Sequence, residues 1–153
     1  MASMSDYLES GVITHLFGAG SFPKPSNISI ALLSSLADEG DTGSTINEVA
    51  SGDNVTANGY ERYSLGDPDS DGDTHWENPW YLGSGSGTTQ NKLQYVFSTD
   101  LEDWGTVSGI ALVDSSSHLS GNLLMYAALD RARNVYIGDN FKFNVGSIDI
   151  TFK

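Results

Sequence analysis

The stretch that decides the fold runs from Val107 to Val113 and reads Val-Ser-Gly-Ile-Ala-Leu-Val, followed after a short break by Leu-Leu-Met-Tyr-Ala-Ala-Leu from Leu123 to Leu129. Both segments alternate side chains in the way a strand does when one of its faces is buried. Similar alternation occurs in Leu93 to Phe97, Phe141 to Val145 and Ile148 to Phe152. Turn residues separate these runs, namely Asp114 to His118 with Gly121, Gly138 to Asn140, and Gly146. The pattern predicts a mainly β protein, an antiparallel β-sandwich of jelly-roll or immunoglobulin-like type.

The N-terminal segment predicts one short helix. Ser5 can cap a helix from about Asp6 to Phe17, with Leu8, Val12 and Leu16 recurring every four residues on one side. We expect this apolar row either to pack on the core or to contact a neighbouring subunit.

The chain of 153 residues has the size of one domain, residues 1–153, with residues 1–20 forming the helix and its lead-in. Ile28 to Leu36 predicts the first strand because it is short, apolar and β-branched at its start. Residues 37–58 and 67–90 predict irregular insertions, and the first of them is a long acidic loop with too few large apolar side chains to form a core element.

The charge and the termini exclude several function classes. Acidic residues outnumber basic ones 20 to 7 and give a formal charge of -13, which would repel a phosphate backbone, so we expect no nucleic-acid partner. No secretory signal or membrane-spanning run is visible, so we also expect a soluble chain without a membrane partner. Cysteine is absent, which removes disulfides and thiol nucleophiles.

An Asp-rich segment offers a possible cation site. Asp67, Asp69, Asp71 and Asp73 alternate around a glycine in the spacing of a calcium loop. The twelfth position of that loop should be a bidentate Glu and is Asn78 here. The segment therefore predicts either a weakly bound Ca²⁺ or a solvated acidic loop, and no other cofactor is expected.

Three aromatic residues follow this segment. Trp76, Trp80 and Tyr81 could form a stacking platform for a sugar or a partner protein, because aromatic faces are costly to leave in water. They could equally pin their long loop to the sandwich, or lie in a subunit interface.

No catalytic constellation is recognisable. His15, His75 and His118 lie far apart in sequence, and no nucleophile elbow, phosphate-binding loop or paired-carboxylate signature accompanies them. We therefore expect that the protein is not an enzyme.

The order of several segments resembles a family of small virion structural proteins of tailed bacteriophages, described as tail-fibre-like or head-decoration proteins. The segments that carry the resemblance are Ser5 to Glu9, Ile30 to Leu33, Gly59 to Arg62, Asp103 to Val107, Ile110 to Asp114, Gly121 to Leu124, and Gly138 with Asp139. The likeness spans most of the chain but fails across the acidic loop and from Asp67 to Gly87. Trp104, Ile110 and Leu112 are expected in the core.

This resemblance implies a non-enzymatic virion protein. Because the chain has no heptads or internal repeats of the kind a long shaft uses, a capsid cement or decoration protein is favoured over a tail fibre. On that interpretation its partners are the major capsid protein and further copies of itself, by analogy as a homotrimer, and it lies on the outer capsid surface of the virion after synthesis in the host cytoplasm. The alternative is a tail-fibre or receptor-binding tail module, for which a glycan is a candidate ligand.

Overall fold

The structure is a computed structural model that describes residues 3–49, 59–77, 87–99 and 101–151. The helices are α1, Asp6–Phe17, and the four-residue α2, Gly72–His75. The strands are β1 Ser3–Met4, β2 Ser29–Leu33, β3 Tyr63–Ser64, β4 Thr88–Gln90, β5 Tyr95–Ser98, β6 Gly105–Val113, β7 Leu123–Val135, β8 Asn140–Phe143 and β9 Asp149–Thr151. The prediction of a mainly β, antiparallel protein with one short N-terminal helix is confirmed.

Five strands form the larger sheet in the order β1-β7-β6-β2-β3, and every pairing is antiparallel. The longest pairing joins β6 to β7, with Gly105 opposite Val135 at one end and Val113 opposite Leu123 at the other. Two smaller pairs, β4-β9 and β5-β8, make up the second layer. The sheets face each other as in a sandwich, because the main core is built from side chains of both.

The inner strand β2, which lies between β6 and β3, is buried along its whole length, since both of its faces are covered. Ile30 and Leu32 point into the main core between the layers. Ala31 and Leu33 point the other way, into a second cluster that includes Ile46. A strand covered on both faces reads as a continuous apolar run, which explains why alternation is weak here in the sequence.

The main core is rich in aromatic side chains. Phe97 and Phe143 pack edge to face, with ring centroids 6.2 Å apart, and Tyr60 packs in the same way on Trp104 at 5.4 Å. Trp104 is only 5% exposed. Its predicted place in the core is confirmed, as is that of Leu112, whereas Ile110 packs against the core and is half-buried.

The prediction that residues 37–58 cannot form a core element is wrong for the part that the structure describes, residues 37–49. Ala37 and Ile46 are buried in the second cluster, and Glu48 is also buried. The segment is irregular, as expected, but it covers the outer face of the larger sheet. Few apolar side chains suffice because strands β2, β6 and β7 supply most of the apolar residues of that cluster.

The predicted insertion at residues 67–90 also contains regular structure, namely α2 and β4. The strand predicted as the first one is β2 in the structure, and it ends at Leu33, earlier than predicted. Strand β7 continues six residues beyond Leu129 to Val135. Local sequence misses both ends because pairing with β6, rather than side-chain alternation, determines where β7 stops.

Two glycines in β6 have different roles. Gly105 makes no close backbone approach, since no atom lies within 4 Å of the position its Cβ would take. Its φ of +73° is what requires glycine. The close approach occurs at Gly109, where a Cβ would lie 2.9 Å from the Ala127 carbonyl oxygen.

A buried ion pair joins the acidic segment to the rest of the fold. The Arg62 guanidinium donates to the Glu48 carboxylate, with Nη2 2.5 Å from Oε1, and both side chains are fully buried. Arg62 also donates to three main-chain carbonyls, those of Gly43, Ser115 and Ser120, at 2.7 to 3.0 Å. Every charged group is thus compensated inside the protein, as burial of a charge requires.

Tyr60 connects the Arg62–Glu48 pair to the inner strand β2. Its hydroxyl donates to Glu48 Oε2 at 2.9 Å and accepts from the Leu32 N–H at 2.9 Å. Burial, followed by the charge of Glu48, raises the pKa of Tyr60 well above its usual value, so the phenol stays protonated and remains a donor.

Replacing Arg62 by leucine should destabilise the fold by about 3 to 5 kcal/mol, because a buried carboxylate would be left without its counter-ion. The matched control is Lys24→Ala, which removes an ion pair with Asp69 whose side chains are 54% and 74% exposed. That change should lower the free energy of unfolding by no more than about 1 kcal/mol. Urea unfolding of both variants measures the difference, and equal losses would contradict the structural role of the buried pair.

Candidate functional site

Helix α1 is joined to the body of the domain at its N-terminal end. The Ser5 hydroxyl accepts from the Leu8 N–H at 3.3 Å and donates to the main-chain carbonyl of Leu123 on β7. Leu8 is half-buried and packs on the main core. The first turn therefore belongs to the body of the domain, and the cap predicted at Ser5 is confirmed.

The rest of α1 extends into solvent with apolar side chains. Val12 is 37% exposed and Leu16 is 65% exposed, so the predicted row Leu8, Val12 and Leu16 runs from the core to the surface. Ile13 and Phe17 are also exposed, Phe17 to 84%. The returning segment covers another side of the helix, with the rings of Tyr7 and Phe22 5.4 Å apart. The uncovered set Ile13, Leu16 and Phe17 is called the helix face below.

The Asp-rich loop is closed by hydrogen bonds between its own residues and by an ion pair with Lys24. Asp67 Oδ1 accepts from the Asp69 N–H at 2.9 Å, and Asp71 Oδ2 accepts from the Asp67 N–H at 3.0 Å. Asp69 forms an ion pair with Lys24, and Asp73 lies in α2. In the described part of the chain, no group of three or more His, Cys, Asp or Glu residues is placed to hold a metal ion. The carboxylates of Asp67 and Asp71 therefore shape a turn, and calcium binding stays a prediction.

Trp76 lies at the edge of the main core. It is half-buried, packs against that core, and its backbone forms a β-bridge with Asn91. The neighbouring His75 carbonyl accepts from the Tyr95 hydroxyl at 3.1 Å. Burial, followed by nearby Tyr63, raises the pKa of Tyr95 to about 12, which keeps this donor protonated. At Trp76 the contacts are those of a residue that pins its loop to the sandwich.

The other two residues of the predicted aromatic platform, Trp80 and Tyr81, lie outside the described residues. The platform as a whole stays a prediction.

A surface cleft of about 430 Å³ lies between β7 of the larger sheet and β8 and β9 of the second layer. Its apolar surface comes from core side chains such as Met125, Phe141 and Ile148. Arg131, Arg133 and Lys142 line it as well, and all three are exposed. Asp130 and Asp149 also line the cleft, which therefore combines apolar surface with three basic and two acidic side chains.

Sequence reasoning missed this cleft. The only local signal is that Arg131 and Arg133 are two residues apart, which in a strand places both on the same face. Their proximity to Lys142 and to the second layer depends on the tertiary arrangement.

The histidines lie in separate surroundings. His15 Nδ1 accepts from the Phe22 N–H at 3.3 Å, His75 packs near Tyr95, and His118 packs on Tyr60. Neither described helix has the length and apolar content needed to cross a membrane.

The comparisons with known proteins give one family. The family model described as podophage GP4 fiber I protein gp80, Gp80, matches residues 3–151, which is nearly the whole chain. No curated protein matches. Because the match extends over nearly the whole chain, this chain belongs to the Gp80 family of phage virion structural proteins.

Proposed function

We propose that the chain is a repeated, non-enzymatic unit of a fibre on the outside of a tailed-phage particle. The observation that carries the proposal is the family match over residues 3–151, since the family description names a fibre protein. A rigid β domain with protruding contact surfaces suits a role in assembly and needs no catalytic site.

Sequence alone favours a cement protein that binds the major capsid protein on the outer capsid surface. The family description favours the fibre instead. The lack of shaft repeats does not argue against a fibre, because a fibre can also be built by stacking globular units. Both roles require protein contacts and a virion location. The net charge of -13 favours a basic partner surface in either case.

The location is tested by electron microscopy of virions labelled with an antibody fragment against this chain. Label confined to projecting fibres supports the proposal. Label spread evenly over the shell, together with genome release at a lower temperature from particles that lack the protein, would establish the cement role instead.

The helix face supports self-association. Ile13, Leu16 and Phe17 are 60%, 65% and 84% exposed, and adjacent apolar side chains of this size on one helix are typical of an interface. Val12 lies beside them, whereas Leu8 is engaged in the core. The homotrimer implied by the resemblance is kept as the expected assembly.

Replacing Leu16 and Phe17 by serine should weaken self-association about tenfold or more, because the changes remove apolar area that only a second molecule would bury. The monomer should unfold within about 0.5 kcal/mol of the parent, since exposed positions contribute little to its stability. Sedimentation over a range of concentrations measures the assembly. The matched control is the double variant Ser10→Ala, Thr14→Ala on the same helix; if it dissociates the oligomer equally, the helix face is not the interface.

The Asp-rich loop is expected to bind calcium weakly at most. Asp67 and Asp71 already accept main-chain N–H groups, so a cation would compete with the hydrogen bonds that close the loop. Calorimetric titration with CaCl₂ should give a small heat that disappears in an Asp69→Ala, Asp71→Ala variant. Absence of heat in the parent protein would show that the loop is purely structural.

A glycan bound at the aromatic platform is the second candidate ligand of this loop region. The candidate platform consists of Trp76, Trp80 and Tyr81, and the half-burial of Trp76 leaves only part of its ring available for stacking on a sugar.

A further inference from the structure

The cleft between β7 and the second layer runs along strand edges. Consecutive residues line it, from Tyr126 to Arg131 on β7, from Phe141 to Asn144 at β8, and from Ser147 to Ile150 at β9. Successive residues of a strand point to opposite faces, so a space that touches several in a row reaches the edge of the strand. The cleft also extends inward to Ile110 and Leu112 of β6.

These edges carry hydrogen-bonding groups without strand partners. Within the described residues, β7 from Ala127 to Val135 pairs only with β6, because the two-residue β1 covers just Met125 and Tyr126. In the same part of the chain, β8 pairs only with β5, and β9 only with β4. An unpaired strand edge is a template for an additional strand.

Three of the seven basic residues line this cleft, and they outnumber the two carboxylates in its lining, those of Asp130 and Asp149. Of the seven basic residues, Arg62 is used in the buried ion pair, Lys24 pairs with Asp69, and Lys92 donates to the Asp73 carbonyl at 2.7 Å. Lys153 lies outside the described residues. The remaining three, Arg131, Arg133 and Lys142, line the cleft and make no side-chain hydrogen bond or ion pair within the described chain.

We propose that the cleft binds an extended polypeptide segment of another virion protein, one that carries acidic side chains at alternate positions. Its main chain pairs with the free edge of β7, its apolar side chains face the core residues of the cleft, and its carboxylates meet Arg131, Arg133 and Lys142. This binding site goes beyond the proposed function and serves a fibre unit or a shell unit equally.

The acidic runs of this chain are unsuited to be the occupant, which is why a different protein is assigned. Residues 37–49 are held in the fold by Ile46 and Glu48, and the Asp-rich loop is closed on itself. The described acidic runs therefore cannot be donated as a strand without breaking the core or the loop.

The strand edges favour a peptide over an acidic sugar. A uronic-acid chain would satisfy the three basic side chains but has no ladder of N–H and C=O groups to match β7. Binding of a peptide should therefore depend on its main-chain N–H groups, whereas binding of an acidic sugar should depend on its charge alone.

The test uses the full chain and the peptide acetyl-(Val-Glu)₄-amide, with binding followed by calorimetry and by amide hydrogen exchange. Binding is expected, with exchange slowed within residues 127–135. The double variant Arg131→Gln, Arg133→Gln should bind about tenfold more weakly, because two exposed charge contacts are removed. The matched control Lys24→Gln, Lys92→Gln removes two positive charges elsewhere and should retain the affinity.

Two further probes decide the ligand class. The same peptide N-methylated at alternate residues loses donors of the main chain, and the peptide with Lys in place of Glu reverses the charge; both should fail to bind. The proposal is overturned if the parent peptide does not bind at 1 mM, on the order of the weakest affinity of interest. It is equally overturned if the N-methylated peptide or tri-galacturonic acid binds as tightly, since the site would then recognise an anion without strand addition.

Discussion

The buried pair of Glu48 and Arg62 is the interaction on which the rest of the structure depends. Glu48 lies in the acidic segment, and Arg62 leads into the edge strand β3. The guanidinium also holds the carbonyls of Ser115 and Ser120 in the turn between β6 and β7. Through the Tyr60 hydroxyl, this hydrogen-bond network also reaches β2, an inner strand of the larger sheet. One charged group thus fixes segments far apart in sequence at one end of the sandwich.

The parts of the fold that local sequence could predict are those set by local physics. The cap at Ser5 and the alternation from Val107 to Val113 express hydrogen-bond and packing preferences within a few residues. The role of Glu48 could not be predicted in this way, because its partner is 14 residues away and both lie outside regular alternation. Polar composition indicated a solvated loop where long-range pairing makes a core element.

The candidate sites follow the same division. Periodicity placed Leu8, Val12 and Leu16 on one row of α1, but only the tertiary position of the helix decides that Leu8 is half-buried and Leu16 is exposed. Predicting the cleft would require the packing of the two layers, since Lys142 on β8 and Arg131 on β7 belong to different sheets. Its signal exists only once the sheets are packed, so no single stretch of sequence contains it.

The exposure of Phe17 at the end of α1 has a consequence for how free molecules behave before assembly. Contact between two copies would desolvate this ring, yet each molecule carries a formal charge of -13. Their repulsion is effective over about 8 Å at physiological ionic strength and weakens as salt is added. The proposed self-association should therefore begin more readily as salt is added. A basic surface on the particle would have the same effect locally, because it would neutralise the charge of the incoming molecule.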